Sequence, residues 1–290
     1  GAGDLKLHIQ TVFILKENLP FLREWIVYHL NLGFDKFYLY DNTGSVGADG
    51  SNKALNKYNI KFDDMVQLTD EQIQQEMDAL LAEFGDRIVH IQWQPRDDKG
   101  NIVYGQPESI RDYIEKQPAE AGGPVYTAYI DVDEFIFSPD GIDLRQYIMD
   151  QWRAGVNKLV IRQKKFEDRY IHPQKKVIDI TRCIVDIDTA GWAPKCIINN
   201  KVADKEHTHI HTIGITEGTT VDAPEQVLRF NHYNVNEKQL DWMRGFFKRD
   251  DFTWGEDNSI ATRYKTIIDT ACGSKCSDKN NHIRSGAQGK

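Results

Sequence analysis

The chain has 290 residues, 40% of them apolar and 11% aromatic, enough for one large domain or two small ones with a sizeable core. Its net charge of −8 argues against a nucleic-acid partner held chiefly through phosphates, and leaves room only for a local basic pocket. No stretch approaches the roughly 18 apolar residues of a membrane span, and the start lacks a signal peptide's apolar run. The expected setting is therefore cytoplasmic, with a lumenal catalytic domain as the alternative.

In chain order, "LHIQTVFIL" (7–15) reads as a strand, "PFLREWIVYHLNLG" (20–33) as an amphipathic helix, and "KFYLYDN" (36–42) as a second strand. Strand, helix and strand with a crossover of this length make a βαβ unit. Helical patterns follow around 51–58 and 70–84, then a third strand at 87–93 and a helix at 106–117. "YIDVDEFIF" (129–137) continues an apolar run from Val125 and reads as one buried strand carrying Asp131, Asp133 and Glu134. The later part is richer in strands: "KLVIRQKKF", "KKVIDITRCIV", "KCIINN", "HTHIHTI" and "VLRFNHY". Helices are expected at 238–247 and 260–270, and the tail from Gly273 reads as loose. The whole predicts one α/β domain, Rossmann-like, with a mixed, mainly parallel sheet flanked by helices. Residues of about 5–140 read as a nucleotide-binding-like half and about 141–272 as a mixed half of one contiguous domain.

On a strand, Asp131 and Asp133 would face the same way. Two carboxylates about 4 Å apart repel by about 4 kcal/mol at an effective dielectric near 20, so a proton, a basic side chain or a metal ion must relieve them. Ligands of open α/β sheets bind beyond the carboxyl ends of the strands. Asp41-Asn42 and the DxD both end strands, and a divalent cation on the DxD would bridge a diphosphate. The plain reading is a solvated strand end. No glycine-rich phosphate loop follows the first strand, and the spacing does not suit an EF-hand. The cysteines, Cys183, Cys196, Cys272 and Cys276, form no CxxC pair and read as thiols, or as a local disulfide in a secreted protein.

"KENLPFLREWIVYHLNLGFDKFYLYDN", "YIDVDEFIF", "WAPKCIIN" and "RFNHYNVNEKQLDWMRGF" together resemble family 92 and related family-2-like glycosyltransferases across residues 9 to about 247. The first triplet departs from that pattern, KEN standing where KNE is usual. The resemblance implies a GT-A fold and inverting, metal-dependent transfer from a nucleoside-diphosphate sugar, UDP-linked before GDP-linked, to a carbohydrate acceptor, with Mn²⁺ or Mg²⁺ as cofactor. It implies that Asp41 meets the nucleobase with Asn42 beside it, that Asp131 faces ribose or metal, and that Asp133 ligates the metal directly. His232 is the expected third ligand, with His209 as the alternative. His207, His209 and His211 are expected on one strand face. Arg111 would face the diphosphate, Lys195 would neutralise donor phosphates, and Trp192 would stack on an acceptor sugar. Each of these three has an equally ordinary structural reading. "TWGEDNS" (253–259) resembles the acceptor motif of inverting galactosyltransferases, making Asp257 the general base and Trp254 an acceptor platform. The plainer reading is a helix N-terminus. Glu167 and Asp168 are the alternative bases. A nucleotidyltransferase or a non-catalytic carbohydrate-binding protein of the same fold are the competing functions.

Overall fold

The computed structural model describes residues 4–44, 69–116, 122–166, 176–185, 193–209, 211–233 and 253–272. The expected helices at 51–58 and 238–247 and the tail from 273 lie outside them.

The chain opens as β1 (Lys6–Phe13), α1 (Leu15–Leu32) and β2 (Lys36–Asp41). Gly33 closes α1 at φ 120°, a conformation that costs glycine little, and turns the chain into β2. Next come α2 (Asp70–Phe84), capped reciprocally by Thr69 and Gln72, then β3 (Ile88–Gln92), α3 (Gln106–Lys116) and β4 (Val125–Tyr129). These strands lie in the order β3-β2-β1-β4, all parallel, with β1 flanked by β2 and β4. This is the order of a Rossmann-like half.

Beyond β4 the sheet becomes mixed. It contains β5 (Glu134–Phe137), β6 (Val156–Phe166), β7 (Arg182–Ile184), β8 (Lys195–Asn199), β11 (Thr219–Asp222), β12 (Arg229–Tyr233) and β13 (Trp254–Glu256). Strand β8 pairs antiparallel with both β4 and β6, so β6 runs parallel to β4. The long β6 carries β11 and β8 on its first part, and β12 and β7 on its last. A separate hairpin joins β9 (Ala203–His209) to β10 (Thr212–Ile215). Helices α4 (Leu144–Arg153) and α5 (Ser259–Cys272) complete the described elements.

The larger core unites the sheet with α1, α2, α4 and α5, through Trp25, Met77, Ile148 and Ile268 among others. A smaller one, around Tyr38, Tyr113 and Ile213, lies under α3 and the β9–β10 hairpin. The carboxyl ends of β1, β2, β4, β6 and β12 therefore point to one rim, where a ligand of such a sheet belongs. Cys183 and Cys196 are free and buried, and Cys272 is disulfide-bonded. No helix among the described residues is long and apolar enough to cross a membrane.

Three expectations need correction. "YIDVDEFIF" is not one strand: β4 stops at Tyr129, a turn holds 131–133, and β5 starts at Glu134. "HTHIH" does not put three histidines on one strand face, because β9 ends at His209 and β10 begins at Thr212. "KKVIDITRCIV" divides into a 3₁₀ turn at Val177–Asp179 and the short β7.

Candidate active site at the Asp131–Glu134 turn

The turn explains how three carboxylates fit inside an apolar run. The Asp131 N–H donates to Glu134 Oε1 at 2.7 Å, and the Glu134 N–H donates to the Asp131 carbonyl at 3.0 Å. A side chain thus takes over a backbone partner and breaks the strand. Glu134 is buried, and burial pushes its carboxyl up to about 7; Lys195 opposes the rise, while Asp131 and Asp133 add to it.

Lys195, at the rim end of β8, supplies the relieving charge. Its Nζ lies 3.3 Å from both Asp131 Oδ2 and Glu134 Oε1. Burial alone would push its ammonium down, but Asp131 and Glu134 outweigh that and hold it above the ordinary lysine range. The other oxygen of Asp131 accepts from Gln106 Nε2, at the start of α3, at 2.9 Å. Asp131 is thus largely satisfied by protein groups.

Asp133 is placed differently. Its carbonyl accepts from the Tyr233 N–H at 2.9 Å, which ties the turn to the end of β12. Its Oδ2 lies 3.2 Å from His232 Nε2. On the far side of that ring, Nδ1–H donates to Gln163 Oε1 at 2.9 Å. A cation bound at Nε2 would replace the proton that Nε2 directs at Asp133, while Nδ1–H stays on Gln163, the arrangement of a metal-ligating histidine with an outer partner. Two ligands each about 2.1 Å from an octahedral ion and at right angles stand about 3 Å apart, so the Asp133–His232 spacing suits neighbouring positions on one cation. Among the described residues no group of three His, Cys, Asp or Glu side chains could hold a metal ion. Two protein donors still fit an ion of the magnesium type, which commonly shares its coordination with substrate phosphates and water. Lys165, also buried, feels Asp133 and Glu134, but burial outweighs them and lowers its ammonium.

The other expected residues are distributed as follows. Asp41 ends β2 as expected, but its carboxylate is committed to His90 Nε2, at 2.8 Å, and to the Thr43 hydroxyl. Asn42 donates to the carbonyls of Trp93 and Val103, leaving its own buried Oδ1 without a hydrogen bond. Arg111 donates to the Thr208 carbonyl at 3.2 Å, bracing α3 against β9. His209 is exposed at the end of β9, its ring centroid 5.7 Å from that of His211. His211 is the hairpin histidine whose charge state responds to Lys195 and Asp131; burial first, then Lys195, lower it to about 4. Trp254 is stacked under the Arg182 guanidinium, 3.6 Å from its ring centroid, so that face of the indole is already covered. Trp192, Glu167 and Asp168 lie outside the described residues.

Asp257 does not join the turn. Its Oδ2 accepts from Lys164 Nζ at 2.8 Å and from Arg229 at 2.9 Å, while Oδ1 accepts from the N–H and hydroxyl of Ser259. These partners overcome the effect of burial and hold its carboxyl well below the usual range. Lys164 and Arg229 alternate with Gln163, Lys165 and His232 along paired strands, so Asp257 sits on the opposite face of the β6–β12 pair from the turn.

Residue-by-residue reading missed Gln106, Gln163 and Lys165. The signal available was the i, i+2 spacing of Gln163 and Lys165 on a strand otherwise rich in apolar residues.

No family model and no curated protein matches the chain. Among solved structures, a UDP-glucose pyrophosphorylase complexed with UDP-glucose is 9% identical, with 93% of this chain and 99% of that chain covered and a TM-score of 0.29. The UDP-glucose pyrophosphorylase of Acinetobacter baumanii is also 9% identical, covering 91% and 98%, with a TM-score of 0.30. Glucosyl-3-phosphoglycerate synthase of Mycobacterium tuberculosis, solved with Mn²⁺, UDP and glucosyl-3-phosphoglycerate, is 14% identical, covering 58% of this chain and 45% of that one, with a TM-score of 0.24. At these values the likenesses carry no argument about fold or chemistry.

Proposed function

We propose that the chain is a GT-A glycosyltransferase that takes a sugar from a nucleoside diphosphate, UDP first, and passes it with inversion to a carbohydrate acceptor. The observation that carries this reading is the Asp133–His232 pair, 3.2 Å apart at the rim and oriented from behind by Gln163. The ordered motif resemblance across residues 9 to about 247 supports the same class.

Asp133 and His232 would hold Mn²⁺ or Mg²⁺ together with the donor diphosphate. When bound, such an ion supplies positive charge to a departing nucleoside diphosphate. Lys195 offsets part of the charge of Asp131 and Glu134 and so weakens their repulsion of the donor. Asp41 and Asn42 stand at the rim end of β2, where the resemblance would have them meet the nucleobase; both side chains are buried. Inversion also needs a base for the acceptor hydroxyl, worth about 10²–10⁴ in rate. Asp257, saturated by two cations and a serine, is unsuited to take a proton. The role falls to Asp168, then Glu167, which follow the rim end of β6 in sequence. The disulfide at Cys272 favours the lumenal setting, since such bonds persist in oxidising compartments.

Calorimetry with UDP, Mn²⁺ and chelator tests the class. Tight UDP binding that vanishes with chelator supports the transferase. Release of pyrophosphate from a nucleoside triphosphate would replace it with a nucleotidyltransferase, and metal-independent sugar binding with a carbohydrate-binding protein.

A further inference from the structure

Among the described residues, strand β5 has a ladder partner on one side only, β12. In an antiparallel ladder every second residue turns its N–H and C=O away from that partner, and buried backbone groups so exposed must find others. On β5 those residues are Glu134 and Ile136, and all four of their groups are satisfied without another strand. The Glu134 N–H goes to the Asp131 carbonyl. The Glu134 carbonyl accepts from Trp25 Nε1 at 2.9 Å. The Ile136 N–H donates to His29 Nε2 at 3.2 Å, and the Ile136 carbonyl accepts from the Tyr28 hydroxyl at 2.5 Å.

Three side chains of one helix thus stand in for a missing strand. His29 can accept only because its Nδ1–H donates to the Trp25 carbonyl at 2.8 Å, leaving the lone pair on Nε2. Burial keeps the ring neutral, lowering it to about 3. Trp25, Tyr28 and His29 are fully buried, and Tyr28 and His29 both pack on Phe135 of β5. The strand held in this way begins at the residue that closes the Asp131–Glu134 turn.

We infer that Trp25, Tyr28 and His29 are positioning residues: by holding the outer edge of β5 they set the depth and register at which the turn presents Asp133 to His232. All three are fully buried and act through the backbone of β5. The inference rests on reading the turn as a cation–diphosphate site.

The test compares Tyr28→Phe and Trp25→Phe with Ile148→Val, a buried change in α4 chosen to lower thermal stability by a similar amount. Binding of Mn²⁺ with UDP is measured by calorimetry on the folded proteins, and amide exchange is followed across the chain. The α1 variants should bind Mn²⁺ with UDP about tenfold more weakly, as for loss of an outer-shell partner, while Ile148→Val binds like wild type. Equal affinity in all three, or equal weakening in all three, would overturn the inference. If wild-type protein binds no Mn²⁺ with UDP, the site reading itself falls, and exchange alone decides on α1. Acceleration confined to 131–137 in Tyr28→Phe would uphold the positioning role; acceleration spread evenly over the core would overturn it.

Discussion

Two charged clusters occupy opposite faces of the same pair of strands, β6 and β12, and they differ in what their aspartates have left to give. On one face, Lys164, Arg229 and Ser259 surround Asp257 so fully that its two oxygens accept four bonds. On the other, Asp133 meets only the edge of His232 through its carboxylate among the described bonds, and the histidine is held from behind by Gln163. One cluster sets a single carboxylate against two cations, and the other sets three carboxylates against Lys195 and His232. The difference lies in saturation: a carboxylate with four partners is a structural tie, whereas Asp133 with one imidazole partner keeps acceptor capacity, which the proposed reading gives to a cation. Acidic residues mark both segments in the sequence.

The comparison is broken most directly by Asp133→Ala, which should abolish metal-dependent UDP binding and turnover while circular dichroism stays native. Retained metal-dependent activity would refute the assignment. Acid should act next, and on the fold beneath both clusters. His8 and His29 are buried neutral, with burial lowering them to about 4 and about 3. Because their folded values lie below the unfolded one, the unfolded chain takes up protons first. Their contribution is complete above about pH 6.5 and is lost as pH falls toward 4 and 3, by about 1.4 kcal/mol per pH unit for each histidine. Urea unfolding at pH 7 and pH 5 measures this; an unchanged midpoint would contradict it.

The second cluster is probed by Asp257→Asn. It should lower unfolding free energy by about 2 kcal/mol, a stranded buried charge discounted for partial exposure, and leave affinity for UDP with Mn²⁺ unchanged. A large loss of turnover with unchanged stability would restore Asp257 as the base. The smallest expected effect is that of Gln163→Leu, a roughly tenfold weaker affinity for Mn²⁺ in the presence of UDP. Affinity equal to wild type would remove Gln163 from the account.

The β1–α1–β2 opening was legible because its hydrophobic periods are long and Gly33 marks the helix end. The placing of Asp41 and Asp131 at the rim followed from strand order alone. What escaped were effects of contact. Apolar residues on both sides of "DVDE" conceal that the Glu134 carboxylate caps the Asp131 N–H and ends a strand there. Nothing local announces that β12 lies parallel to β6, so the face occupied by Asp257 could not be read from "TWGEDNS". For the same reason Lys195 read as a partner for donor phosphates, although its ammonium lies against Asp131 and Glu134. The "LREWIVYH" helix was legible as an element, but its bonds to β5 join residues more than a hundred positions apart.

Anomalous scattering from a crystal grown with manganese and UDP puts the cation on the map without reference to activity. A peak within bonding distance of both the Asp133 carboxylate and His232 Nε2, with Lys195 still on Asp131 and Glu134, is the predicted result. Manganese and nucleotide bound together at any other place on the chain would contradict it.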